Sequence, residues 1–200
     1  IQSPRDHFDV MALDVFQYQA ETNLVYKNYI QALNIIPDQI KSIEKIPFLP
    51  IDFFKTFPVK SGDYEPQLIF PNNGTTGLST SKHFVKTISD YEKTFKEAFR
   101  LVYGNPDEYC VLALLPSYLE RNGSSLVYMI ENLIAGSNDS ESGFFLYNHE
   151  ELRQRLTKKE KEQKKTILIG VTFALLDFAE NFTHNLHHTI VMETGGMKGR

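Results

Sequence analysis

The chain has 200 residues, a formal charge of −4, 42% hydrophobic residues and a single cysteine. That charge argues against a nucleic-acid surface, which requires a basic face. One cysteine excludes both an intramolecular disulfide and a zinc cluster of cysteines, and at this length a single domain with an unstapled core is expected.

Phe8, Met11, Val15, Phe16 and Tyr18, then Leu24, Tyr26 and Ile30, recur at helical spacing and predict helix through Asn34. Pro37, with Asp38 in the first turn, predicts a short helix reaching Ile46. Pro47, Pro50 and Pro58 then break the chain into an extended segment whose aromatics are expected to pack on the main body. From residue 67 short apolar runs take over: Leu68–Phe70, Cys110–Leu115, Gly143–Tyr147, Thr166–Val171 and Thr189–Glu193. Helical patterns lie between them over Ser89–Val102, Ser124–Ala135, His149–Lys165 and Leu175–Asn181. Continuous apolar runs imply strands buried on both faces, and strand–helix alternation implies right-handed crossovers. The expected fold is therefore α/β, a mainly parallel doubly wound sheet flanked by helices and preceded by an N-terminal helical segment. Residues 1–66 form the helical and extended lead-in to the α/β part, 67–200.

Ligands of such sheets bind beyond the carboxyl ends of the strands. Gly74-Thr75-Thr76-Gly77, Pro116–Arg121 and Thr194-Gly195-Gly196 each follow one of the apolar runs and are expected at that edge. Gly74 and Gly77 allow successive N–H groups to converge on an anion. Thr75, Thr76, Ser79, Thr80 and Ser81 add hydroxyl donors and Lys82 a charge. This is phosphate-cradling chemistry, although the same residues also suit a surface loop of turn formers. It is neither a Walker A loop nor a dinucleotide fingerprint.

Other features read more plainly. Cys110, in an apolar run, is a small buried hydrophobe, and the charge run Lys158–Lys165 is a solvated helix end. His184, His187 and His188 lack metal-ligand spacing and form a surface cluster, and no Gly-x-Ser-x-Gly elbow occurs. The longest apolar stretch, Thr166–Leu176, is too short to span a membrane and no signal peptide is visible, so a soluble cytoplasmic protein is expected.

The Gly74–Gly77 loop, the segment Pro116–Leu126 and the segment Ile190–Arg200 occur in the order found in adenylate-forming enzymes. Together they resemble the LuxE-type acyl-protein synthetases of bacterial bioluminescence, a long-chain-fatty-acid ligase family similar to phenylacetate-CoA ligases, over nearly the whole chain. The resemblance implies ATP-dependent activation of a carboxylic acid, long-chain fatty acids included, to acyl-AMP. Transfer to a thiol follows, either a protein cysteine or CoA, with a reductase as partner. It implies that 67–200 binds nucleotide, with Gly74, Thr75, Thr76, Gly77 and Lys82 on the ATP phosphates and Gly195 and Gly196 against the adenine. An acyl pocket is expected from Tyr118, Ser124, Ser125, Thr172 and Phe173; for Tyr118 and Phe173 ordinary packing is an equal alternative. The family's acid for Mg2+ and its acyl-accepting cysteine fall beyond Arg200, so no catalytic residue is assigned here and the chain alone is expected to be inactive. The rival reading is a non-catalytic, truncated module that binds acyl groups or a partner.

Overall fold

The computed structural model describes residues 4–72, 81–115, 123–183 and 185–195, and the chain divides into two compact units, 1–87 and 88–200. In the first unit the helical run is split at Asn23 into α1 (Pro4–Thr22) and α2 (Leu24–Ala32). Asn23 is buried, but its side-chain oxygen accepts from the Tyr26 N–H and its amide donates to Gln19 Oε1, both at 3.1 Å. It caps α2 and leaves no polar group orphaned. Phe16, Ala20, Tyr26 and Ile30 form the buried cluster, with the Phe16 and Tyr26 rings edge-on at 6.2 Å. Helix is found as expected, yet Phe8, Met11, Val15 and Tyr18 are each more than half exposed. Periodicity shows that an apolar stripe exists; here the neighbouring Phe16–Ala20 stripe is the one that α2 covers.

The helix expected over Pro37–Ile46 is not formed. Two 3-10 turns, Pro37–Gln39 and Ile43–Lys45, replace it, with Ile40 and Ser42 extended between them. Ile35, Ile40, Ile46 and Leu49 all pack on the Phe16 cluster, a set of insertions that one straight helix cannot aim at a single surface. The following segment contains one helical turn, α3 (Phe53–Thr56). Phe53 meets Tyr29 at 5.5 Å, whereas Phe48 is 80% exposed.

Leu68–Phe70 is the main departure from the expected sheet. It belongs to β1 (Leu68–Asn72), which pairs antiparallel with β2 (Ser81–Val85), Leu68 opposite Val85, in a separate two-stranded ribbon. Phe70 and Val85 are buried while Ile69 is 40% exposed, the one-sided burial of an antiparallel strand. A three-residue run is too short to display that alternation.

The second unit contains α4 (Ile88–Tyr103), β3 (Cys110–Leu114), α5 (Ser125–Gly136), β4 (Gly143–Phe145), α6 (His149–Lys161), β5 (Thr166–Gly170), α7 (Thr172–Asn181) and β6 (Thr189–Glu193). Its four strands are all parallel in the order β4-β3-β5-β6, with Leu112 beside Gly143 and Leu168, and Leu168 beside Val191. All five residues of β3 and of β5 are buried, which is why these strands read as unbroken apolar runs. The chain runs from β3 outward to β4, then back across to β5 and on to β6. Right-handed crossovers thus put α5 on one face and α6 and α7 on the other. Tyr128 of α5 donates to Glu92 of α4 at 2.7 Å, and His149 of α6 meets Phe178 of α7 edge-on at 5.7 Å.

The charge run at the end of α6 is not simply solvated. Lys159 is 5% exposed, and its ammonium contacts Asp139 at 2.8 Å and Glu141 at 2.7 Å. The next residue, Glu160, accepts from the His187 and His188 N–H groups and from the Thr189 hydroxyl. The run therefore ties α6 to the Asp139–Glu141 turn and to the start of β6. Among the described residues no helix is long and apolar enough to cross a membrane.

Candidate functional site at the carboxyl edge of the sheet

The strand order reverses between β3 and β5, and in doubly wound sheets ligands bind beyond the carboxyl ends of the strands at such a reversal. The end of β3 is pinned from both sides: the Leu115 N–H donates to Phe145 O at 3.2 Å and the Val171 N–H to Leu114 O at 3.4 Å. Gly170 makes this closeness possible. A Cβ there would stand 2.9 Å from Leu175 and 3.0 Å from the Leu114 carbonyl. Without one, β5 turns through extended Val171 directly into α7.

Past β6 the chain folds back onto that turn. The Thr194 N–H donates to Gly170 O at 3.0 Å, and the Thr172 N–H donates to Gly195 O at 3.1 Å. Glu193 completes the closure: its Oε1 accepts from the Thr172 hydroxyl and, at 2.7 Å, from the Gly195 N–H. Gly195 has φ of +76°, and no described atom lies within 4 Å of where its Cβ would be. Its glycine is demanded by the left-handed backbone rather than by a crowded neighbour. At the end of β3, Ser124 caps α5, accepting from the Val127 N–H at 3.3 Å. Neither α5 nor α7 carries an acid in its own first turn, but the Glu193 carboxylate on Thr172 already meets the positive end of α7.

Of the residues singled out from the sequence, Thr172 and Gly195 are in direct contact, and Ser124 and Ser125 begin the helix that follows the neighbouring strand. Phe173 packs against the core. Lys82 is exposed on β2 in the first unit, opposite Pro71. Because β1 is not a strand of the parallel sheet, the loop after it does not follow a carboxyl end of that sheet. Gly74, Thr75, Thr76, Gly77, Tyr118 and Gly196 lie outside the described residues. Sequence reasoning missed Glu193, which reads there only as the last residue of a strand.

Cys110 sits at the amino end of β3, fully buried. Burial, with the Asp139 charge adding to it, pushes its thiol up to about 11, which disfavours the thiolate a nucleophile needs. Among the described residues no group of three or more His, Cys, Asp or Glu is arranged to hold a metal ion. The N-terminus of α5, with no acid in its first turn, suits the anionic part of a nucleotide, whereas that of α7 already holds the Glu193 carboxylate through the Thr172 hydroxyl. In comparisons with known proteins, the chain matches no protein-family model, and no curated protein matches it significantly.

Proposed function

We propose that the chain belongs to an ATP-dependent acid–thiol ligase in which a carboxylic acid is activated to acyl-AMP at the carboxyl edge of the parallel sheet. A carboxylate oxygen attacks the α-phosphorus and pyrophosphate leaves; a thiolate then attacks the acyl carbon and AMP leaves. The barrier to the first step includes repulsion between two anions, so fixed donors aimed at the phosphates lower it without reorganising. Holding carboxylate and α-phosphorus in line supplies much of the rest. ATP would bring its phosphates toward the N-terminus of α5, and Mg2+, bound with it, would neutralise phosphate charge.

The observation that carries this reading is the closure of Thr172, Glu193 and Gly195 beyond the carboxyl ends of β5 and β6, beside the switch point of the sheet, which falls on a segment of the resemblance to adenylate-forming enzymes. The resemblance alone assigns Gly74, Thr75, Thr76 and Gly77 to the phosphates. Acid-dependent ATP–pyrophosphate exchange tests it, assayed on the protein translated from its complete reading frame over carboxylic acids of increasing chain length. Thr75→Val with Thr76→Val should slow exchange at least tenfold, about 1.4 kcal/mol of barrier. Exchange with no acid of the series, or exchange untouched by the double substitution, overturns the assignment.

A further inference from the structure

The first unit contains a cavity of about 510 Å3, a size typical of small-ligand sites. Its lining is mainly apolar, with Phe16, Tyr26, Ile46, Leu49, Val59 and Phe84 as the principal side chains. The neutral polar groups on its wall are occupied with one another. Ser61 donates to Gln19 Oε1 at 2.5 Å, which also accepts from Asn23, and the Tyr26 hydroxyl donates to the Pro47 carbonyl at 2.6 Å.

The charged groups among the described residues of the lining are two cations. The ammonium groups of Lys60 and Lys86 lie 5.0 and 5.7 Å from the centroid of the same ring, Tyr64. Lys60 also donates to the Tyr64 carbonyl at 2.8 Å. Among the described residues no aspartate or glutamate lines the cavity and neither lysine is ion-paired with a carboxylate. Two like charges gathered around one ring, beside apolar space, favour an occupant that brings its own negative charge.

We propose that this cavity is a binding site for an anionic amphiphile, with an alkyl body among the apolar side chains and one carboxylate at the ammonium groups of Lys60 and Lys86. The described residues that line the site all lie between Val15 and Lys86. It goes beyond the activity proposed above and does not rest on it, since it involves no nucleotide and no residue of the second unit.

Calorimetric titration of the 200-residue protein without ATP tests it, using decanoate, decan-1-ol and decyltrimethylammonium, each below its micellar concentration. Decanoate should saturate at one molecule per chain and bind at least tenfold more tightly than the cationic chain. Lys60→Met with Lys86→Met, substitutions that keep the alkyl stems, should weaken decanoate at least tenfold and leave decan-1-ol unchanged. On saturation the methyl resonances of Ile46, Leu49 and Val59 should shift. Unsaturable binding, equal affinity for the cationic chain, decanoate affinity unchanged in the double variant, or shifts confined to residues 88–200 would each overturn the proposal.

Discussion

Glu193 joins two pieces of chain that the sequence separates by some twenty residues, taking hydrogen bonds from Thr172 and from the Gly195 N–H. It is exposed, so its removal should perturb the local turn far more than global stability. Glu193→Ala should weaken ATP binding at least tenfold, about 1.4 kcal/mol, while shifting the melting temperature by no more than about 2–4 °C. Nucleotide titration and a thermal melt on the same sample check this, and unchanged affinity would detach Glu193 from the site. Lys159 is the opposite case, a buried cation held by Asp139 and Glu141. Deleting one member of a buried pair leaves the others uncompensated, so Lys159→Met should cost about 3 kcal/mol or more, roughly 10 °C in melting temperature. Adding Asp139→Asn should recover part of that loss. Burial opposes ionisation of Asp139, but the Lys159 hydrogen bond, the Glu141 N–H and the Lys159 charge outweigh it and hold the carboxyl below its usual value. The stability it contributes is therefore complete above the ordinary carboxylate range and is lost as pH falls below about 4. Asp139→Asn should flatten the acid limb of a plot of melting temperature against pH. None of this is visible in the string Lys158–Lys165, because a lysine run looks alike whether one member is buried or all are solvated.

Gly170 shows how one missing Cβ sets the spacing of β5, α7 and β3. Gly170→Ala should cost about 1–3 kcal/mol through overpacking against Leu175 and the Leu114 carbonyl, read as a lower urea midpoint with an unchanged slope. A neutral result would mean that Leu175 moves aside freely. The elements legible in the sequence were those with a long, repeated signal. β3, β5 and β6 appear within one residue of their expected bounds, and α4 and α5 within one residue at each end. Where several short-range signals competed, the reading failed. Pro37 and Asp38 do begin a turn, but the isoleucines after it are claimed by tertiary contacts with the Phe16 cluster. Leu68–Phe70 is apolar enough for a buried strand, and only its pairing partner Ser81–Val85 reveals that one face is open. At the carboxyl edge, Thr172 and Gly195 were legible as residues that follow a strand's end, where the structure brings them into contact. Glu193 was not, because its partners are set by tertiary folding.

Two hydrophobic clusters, one around Phe16 and Tyr26 and one spanning β3, β5 and their helices, belong to different compact units. Phe16→Ala should cost about 3–5 kcal/mol and remove amide-exchange protection from α1 and α2, with β3 and β5 keeping theirs. Protection lost equally in both would show that the units open as one. At this same scale the strand order has a consequence for how the protein is made. β3 is the first strand of its sheet to be synthesised, yet both of its neighbours, β4 and β5, come later in the chain. At roughly 5–20 residues per second on a ribosome, seconds pass between the appearance of Leu112 and that of its partner Leu168. Until β4 follows, Val111–Leu115, which the finished protein hides almost completely, has two open backbone edges, and one of them stays open until β5 follows. A nascent chain in that state is a substrate for chaperones and for its own kind. The yield of folded protein should therefore respond to translation rate and chaperone supply even where the stability of the finished molecule is unaltered.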